Sequence, residues 1–302
     1  MNEKLAKNFA SGHSACAGCG IPAIVRTVLG ESPNQVVVAN ATGCLEVTST
    51  LYPYSAWKVP YIHNAFENAA ATISGVEKAY EAQKKKGKIK EPINFVAFGG
   101  DGGTFDIGLQ SLSGALERGH RFLYVCYDNE GYMNTGNQKS SATPFGAATE
   151  TTPAGKKSFG KVTMRKNLME IVKAHGVKYL AQANVAYLSD LKMKARKCFE
   201  TDGPSFLLVM QPCTNNWKYP TSEYVRYGKA ATETNYWPLF EIENGKYTIN
   251  YAPKERKPIE DFLKGQGRFK HLFTPENKHV IETMQEMVDE EWDKLNKVAS
   301  IK

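Results

Sequence analysis

The sequence predicts an α/β protein: a mostly parallel sheet flanked by helices, with an irregular C-terminal arm. Apolar, strand-like runs recur at Gln35–Ala39, Ile93–Phe98, Arg121–Tyr127, Val177–Gln182 and Ser205–Met210. Helix-like segments at Thr104–Glu117, Met164–His175 and Ser189–Glu200 fall between them, which is the rhythm of βαβ units. Polar turns rich in glycine follow strand ends, above all Gly99-Gly100-Asp101-Gly102-Gly103. In a parallel sheet the carboxyl edge of the strands is where ligands sit.

A chain of 302 residues can bury a substantial core, as one large domain or one domain with an extension. The division expected is a domain over residues 1–215 and an extension over 216–302 that packs on the same or a partner subunit. With 42% hydrophobic and 23% charged residues the balance is that of an ordinary globular protein. The net charge of +7 is modest and no aromatic-basic interleaving accompanies it, so nucleic acid is not an expected partner. Met1-Asn2-Glu3-Lys4-Leu5 lacks the apolar stretch of a signal peptide, and no run of about eighteen apolar residues would cross a membrane. A cytoplasmic protein without a membrane partner is expected. The dense basic run from Lys84 to Lys90 reads as a solvated loop, or as a docking patch for an anionic partner.

Taken from the N-terminus, Cys16-Ala17-Gly18-Cys19 comes first. A C-x-x-C in a chain expected in the cytoplasm points to metal binding or redox work rather than to a structural disulfide. Cys44 follows the strand Gln35–Ala39 and Cys213 follows Ser205–Met210, so both are expected on loops at strand carboxyl ends. Four thiolates on one edge could enclose zinc or a 4Fe-4S cluster, and spacing leaves both open. Cys126, inside an apolar strand, and Cys198, inside a helix-like segment, read as buried structural residues. His13 reads as a hydrogen-bonding loop residue. Tyr61 to Ala70 then leads into a helix ending near Lys84, whose small residues permit close packing. Asn64 and Glu67 are candidates for a pocket there, with capping or a subunit interface as the alternative.

The central stretch runs from Gly99 to Asn134. Flanking glycines let backbone approach a ligand, and the helix that follows offers unpaired N–H groups. Asp101 can carry a hard divalent cation and Asn129, on the next strand end, can add an amide oxygen. Magnesium takes few protein oxygens plus phosphate oxygens, so an Asp, an Asn and a backbone carbonyl around a diphosphate form such a set. An ordinary βα loop with a capping Asp fits the same G-D-G. After Gln138, the run to Lys157 is rich in Ser, Thr, Ala and Gly and long for a connection, which signals function or a partner surface.

Asp101 and Asn129 are 28 positions apart, and the pair resembles the thiamin diphosphate motif. Gly131-Tyr132-Met133-Asn134-Thr135-Gly136-Asn137-Gln138 is similar to the thiamin-binding segment of pyruvate:ferredoxin oxidoreductases. The C-x-x-C, a third Cys 25 positions on and a distant fourth match the same family's proximal cluster. The resemblance covers about residues 10–215 and implies a thiamin diphosphate-binding fold. It implies Mg²⁺ on Asp101, Asn129 and the Gly131 carbonyl, with thiamin diphosphate against Gly100 and Gly102. Asn134 would be the catalytic residue at the reacting end. A 4Fe-4S cluster would sit on Cys16, Cys19, Cys44 and Cys213, with Cys44 flanking the cofactor.

The implied activity is that of a β subunit in a 2-oxoacid:ferredoxin oxidoreductase: a small 2-oxo acid, pyruvate above all, loses CO₂, its electrons pass to ferredoxin, and coenzyme A takes the acyl group. The run Ser140–Ala147 has a counterpart in the pyruvate enzymes and differs from the glutarate-type relatives, which argues for a small 2-oxo acid, with 2-oxoisovalerate, oxalate and 2-oxoglutarate kept as alternatives to pyruvate. Partners implied are α, γ and δ-type subunits, one of them supplying the glutamate that acts on the cofactor and others the distal clusters. The basic run would then be a dock for ferredoxin or coenzyme A. The family's glutamate after C-x-x-C-G is replaced by Ile21. Two rivals share half of the motifs each: a cluster-free thiamin-dependent decarboxylase or synthase, and a zinc or electron-transfer protein without catalysis.

Overall fold

The computed structural model describes residues 8–301. Strands are β1 (Gln35–Ala41), β2 (Tyr61–Asn64), β3 (Ile93–Gly100), β4 (Leu123–Asp128), β5 (Ala154–Gly155), β6 (Ser158–Phe159), β7 (Tyr179–Asn184), β8 (Ser205–Met210), β9 (Leu239–Glu243) and β10 (Lys246–Tyr251). β5 and β6 form a small ribbon, and the other eight form one sheet in the order β10-β9-β7-β8-β4-β3-β1-β2. Pairing is parallel from β2 across to β7 and antiparallel at β7–β9 and β9–β10.

The inner strands are buried on both faces, which is why they appear in the sequence as unbroken apolar runs rather than alternating ones. Helices Ala69–Lys85 and Leu109–Glu117 bring Ile73 and Leu112 to a core shared with Phe122 and Phe206. Helices Ile21–Gly30 and Leu188–Glu200 bring Ile24, Val28 and Leu191 to a second core with Val38 and Phe98. Alternate residues of one strand, Ala97 and Phe98, feed the two cores, so the layers stand on opposite faces of the sheet.

Three elements differ from the reading of the sequence. β2 lies within the stretch before Ala69; it is short, half-exposed and at the sheet edge, and so carries no apolar run. The helix expected from Thr104 opens as a π turn, Gly102–Ile107, before Leu109–Glu117. The helix expected from Met164 starts at Leu168, where the Asn167 side chain accepts from Glu170 N–H at 3.2 Å. Residues 161–166 are used elsewhere, as described below.

Residues 216–302 hold more order than their proline and charge suggest. Helix Tyr224–Glu233 is followed by the hairpin of β9 and β10, which joins the main sheet because β9 pairs with β7. Trp217, Tyr219, Tyr227 and Trp237 are buried in the first of the two cores. Their apolar area is covered within this chain. The last helix, Lys278–Ala299, buries the stripe Val280, Met284, Val288 and Leu295 against the first core of the same protomer.

Candidate active site

β3 delivers the chain to Asp101, which is 1% exposed, and to the π turn, where Gly108 N–H donates to Gly103 O at 2.7 Å. Turns of this width inside helices are frequent at functional sites. Side chains have no room in it. A Cβ on Gly108 would stand 2.3 Å from Gly103 O, and one on Gly102 would stand 2.4 Å from the Tyr132 ring.

β4 ends beside it, and Asn129 N–H donates to Asp101 Oδ1 at 3.3 Å. Asn129 Oδ1 stands 3.2 Å from Asp101 Oδ1 and 2.8 Å from Gly131 O; with the amide turned over, its NH₂ would donate to both. Which way an amide points is an assignment, and the two settings suit different states. With nitrogen inward the cluster is satisfied by itself. With oxygen inward, three oxygens converge at separations near the octahedral edge of magnesium, about 2.9 Å for Mg–O bonds of about 2.0–2.1 Å. Ser140 Oγ donates to the other Asp101 oxygen at 2.5 Å. Burial, then the nearby Asp128, pushes the Asp101 carboxyl well above the usual range. That is a site short of positive charge. Among the described residues no three His, Cys, Asp or Glu side chains stand close enough to share one ion. A cation here therefore takes amide, carbonyl and ligand oxygens besides Asp101.

Under this loop lies a buried charge cluster that the sequence does not reveal. Arg165 is ion-paired to Asp128 and approaches Glu130 Oε1 at 3.5 Å. Arg268 Nη2 meets Glu130 Oε2 at 2.7 Å, and Tyr236 Oη donates to Glu130 Oε1 at 2.5 Å. Arg165 also lies over the Phe105 and Trp237 rings, and Arg268 over Trp217. Despite its burial Arg165 is held above its ordinary value, with Asp128 as the main support. Lys161 points at the carbonyls of Ser141, Thr143 and Met164, and burial then Arg165 pushes it down to about 8. These contacts explain why residues 161–166 are not helical.

One cleft joins both motif sets. It is lined by Thr42–Cys44, Phe66, Gly100–Gly103, Tyr127, Asn129 and Gly131–Thr135. Asn134 is exposed at the rim, on a loop pinched where Tyr132 N–H donates to Gln138 O at 2.9 Å and Gln138 N–H returns to Tyr132 O at 3.2 Å.

The cysteines gather at the same edge. Cys44 opens the short helix Cys44–Ser49 and Cys213 precedes another, Thr214–Trp217, so neither sits on a plain loop. The loop of Cys16 and Cys19 is tied to both helices. Ser14 N–H donates to Thr48 O at 2.9 Å, and Thr214 Oγ1 reaches Ala17 O at 3.5 Å. Asn215 Nδ2 lies 3.5 Å from Cys16 Sγ and Gln211 Nε2 lies 3.8 Å from Cys19 Sγ. Burial, then the neighbouring thiols, pushes Cys44 up to about 12; Cys213, Cys19 and Cys16 all act on it. Cys19 is likewise pushed up to about 12, by burial first. Cys213 is raised as well, again by burial first with Cys16 among the causes, and thiols raised in this way become stable as thiolates only beside a cationic group. Cys126 and Cys198 are buried in the core, as expected.

Other candidates fall away. Asn64 is half-buried and Glu67 exposed, and the cleft takes Phe66 between them. Ile21 is buried in the second core, so its position holds packing rather than chemistry. Lys84–Lys90 follows a helix that runs back from the end of β2 to the start of β3, which puts the run at the edge opposite the cleft. A roomier cavity of about 590 Å³, lined by Ile259, Leu272, Phe273 and Ile281, lies in the C-terminal part away from these groups. No described helix is long and apolar enough to cross a membrane.

A family model described as the C-terminal TPP-binding domain of thiamine pyrophosphate enzymes matches residues 41–209. The chain is 54% identical to pyruvate synthase subunit PorB of Thermotoga maritima over 293 residues, covering 94% of this chain and 90% of that protein. It is 51% identical to the subunit of the same name from Methanocaldococcus jannaschii, covering 93% and 94%. It is 46% identical to ketoisovalerate oxidoreductase subunit VorB of Pyrococcus abyssi, covering 98% and 94%. Among solved structures, a 2-oxoglutarate:ferredoxin oxidoreductase from Magnetococcus marinus aligns with a TM-score of 0.59 at 19% identity, over 93% of this chain and 96% of that one. At that identity the likeness is one of fold.

Proposed function

Since the chain belongs to the β subunits of the 2-oxoacid:ferredoxin oxidoreductases, the family of pyruvate synthase and ketoisovalerate oxidoreductase, we propose that it holds Mg²⁺ and thiamin diphosphate in the Asp101 cleft beside a 4Fe-4S cluster on Cys16, Cys19, Cys44 and Cys213. It is an oxidoreductase subunit that works within a complex. One observation carries the reading of the site: Cys44 and the oxygens of Asp101, Asn129 and Gly131 line a single cleft. When bound, thiamin diphosphate supplies an electron sink for decarboxylating a 2-oxo acid, and an iron–sulfur cluster accepts electrons.

The residues of this chain do the holding. Asp101, Asn129 Oδ1 and the Gly131 carbonyl take the cation. N–H groups of the π turn face the diphosphate at the start of a helix, where they lack intrahelical acceptors. Ser140 fixes the Asp101 carboxylate, and Asn134 at the rim orients the 2-oxo acid. Asp101 is the carboxylate of the cleft lining, and it is committed to the cation. By resemblance to the family, the glutamate that acts on the cofactor comes from a partner subunit, so the β subunit by itself is expected to be inactive. Ferredoxin, coenzyme A and α, γ and δ-type subunits complete the proposed assembly.

Pyruvate is the proposed substrate, with 2-oxoisovalerate as the second reading because of the likeness to VorB. The test is the reconstituted complex, assayed for kcat/KM with pyruvate, 2-oxoisovalerate, 2-oxoglutarate and oxalate. A preference for 2-oxoisovalerate would replace the first reading by the second. An anaerobic spectrum without the broad absorption near about 400 nm expected of a 4Fe-4S centre would remove the cluster from either.

A further inference from the structure

Asn129 and Gly131 can aim at one point because the residue between them is left-handed. Glu130 has φ 66°, uncommon for a residue with a side chain, and it is fully buried. A left-handed residue reverses the chain locally, so the side chain before it and the carbonyl after it come to the same side, here within 2.8 Å. An isolated left-handed Glu is costly by itself. Its surroundings overdetermine it: Arg165, Arg268 and Tyr236 hold the carboxylate, while Glu130 N–H donates to Asp128 Oδ1 at 3.0 Å and its carbonyl accepts from Thr143 Oγ1 at 2.8 Å. The Asn129 carbonyl is fixed in turn by Asn216 Nδ2 at 2.8 Å and Trp217 Nε1 at 3.1 Å.

We propose that Glu130, clamped by Arg165, Tyr236 and Arg268, is the positioning residue that turns the Asn129 amide and the Gly131 carbonyl onto the point faced by Asp101. The charges fit the task. Asp128 and Glu130 are ion-paired to Arg165 and Arg268, and Asp101 stands outside these pairs, facing the point of convergence. Two of the clamping residues, Tyr236 and Arg268, come from beyond residue 215, so the C-terminal part sets the geometry of a loop it does not contain. This inference rests on the proposed Mg²⁺–thiamin diphosphate site.

The test uses the reconstituted complex, stripped of cofactor, and measures the Mg²⁺ concentration for half-saturation of thiamin diphosphate binding. Glu130→Gln keeps shape and removes charge; Glu130→Gly removes the clamp and the conformational cost together. Both are expected to raise the half-saturating Mg²⁺ on the order of tenfold, while iron content stays at the wild-type level. Tyr236→Phe, a milder change that folds if either of the others does not, is expected to shift it in the same direction by a smaller factor. With Mn²⁺ in place of Mg²⁺, the variants are expected to lose the wild-type Mn²⁺ EPR signature. Wild-type Mg²⁺ dependence in Glu130→Gly would show that backbone conformation alone suffices and would overturn the clamp, as would an unchanged Tyr236→Phe. If the wild-type complex binds thiamin diphosphate without any divalent cation, the site reading itself falls, and the clamp with it.

Discussion

Replacing Gly102 by Ala tests the cofactor cleft most directly. Gly102 is in helical backbone, so the change strains no dihedral, and Ala is favoured over Gly there by up to about 1 kcal/mol. The obstacle is Tyr132. The new Cβ would stand 2.4, 2.5 and 2.6 Å from Cε1, Cδ1 and Cζ of its ring, where carbon atoms prefer about 3.5–4.0 Å. Relief needs a shift of about 1 Å. The ring cannot swing freely, because Tyr132 Oη donates to Gly102 O at 2.8 Å and to Asp106 Oδ2 at 3.2 Å. Such overpacking costs about 1–3 kcal/mol. The propensity gain offsets part of it for folding, so Tm is expected to move little. Binding has no such offset, since Tyr132 leads directly into the loop that carries Asn134. Thiamin diphosphate affinity is expected to fall about fivefold to about hundredfold by calorimetric titration of the Mg²⁺-saturated complex. Tyr132→Leu in the same chain is expected to recover much of the loss, as a coupling of about 1 kcal/mol or more. Affinity within twofold of wild type for Gly102→Ala, or strict additivity in the double mutant, would refute the reasoning.

Other perturbations separate the two halves of the site. Asp101→Ala is expected to lose thiamin diphosphate and keep iron, and Cys44→Ser to lose iron and keep thiamin, by cofactor and metal analysis; loss of neither in both variants would contradict the assignment. The raised carboxyl of Asp101 gives a pH dependence whose sign is fixed. A folded-state pKa above the unfolded one stabilises the cofactor-free protein at low pH, and that contribution is lost as pH rises toward the raised value. Bound Mg²⁺ relieves the cost, so the gain in Tm on adding Mg²⁺ and thiamin diphosphate is expected to grow from about pH 5 to about pH 8 in wild type, and to grow less in Asp101→Asn. Trp237→Ala removes a buried ring whose Nε1 donates to Ala183 O at 2.8 Å and on which Arg165 stacks. It is expected to cost about 3–5 kcal/mol in denaturant unfolding; a loss under about 1 kcal/mol would mean that the C-terminal part is not integral to the core.

Much of this architecture is legible in the sequence, for a physical reason. Strands buried on both faces are mostly apolar on both, so β3, β4, β7 and β8 stand out without any knowledge of their partners. β2 is half-exposed at an edge and gives no such signal. The hairpin Leu239–Tyr251 is local and can be read; its docking on β7 cannot, because nothing within Leu239–Glu243 names Tyr179–Gln182 as its neighbour. The candidate ligands show the same divide. Asp101, Asn129 and Gly131 end adjacent strands and fall at a recognisable spacing. Glu130 and Arg268 are buried and Arg165 is partly buried, and a charged residue in a polar segment carries no sign of that in the sequence.

Strand order explains why chemistry spread from residue 16 to residue 213 meets at one place. Cys213 follows β8, Asn129 follows β4, Asp101 follows β3 and Cys44 follows β1, and these strands are consecutive in the sheet. The cation ligands thus occupy the middle of the row and the two cysteines its ends, about 14 Å apart for three strand spacings. Left at the strand ends, those sulfurs could share nothing. Each is instead followed by a short helix, Cys44–Ser49 or Thr214–Trp217, that lifts the chain off the edge, and the loop of Cys16 and Cys19 bridges them through Ser14–Thr48 and Ala17–Thr214. On the proposed reading, a group held by the four sulfurs would be kept near the cleft, whose lining includes Cys44, by topology rather than by the strength of single contacts. Lengthening the segment between Cys19 and Ile21 is therefore expected to damage the sulfur site while leaving Mg²⁺-dependent thiamin diphosphate binding intact, and equal loss of both would show that the bridge is not what brings them together.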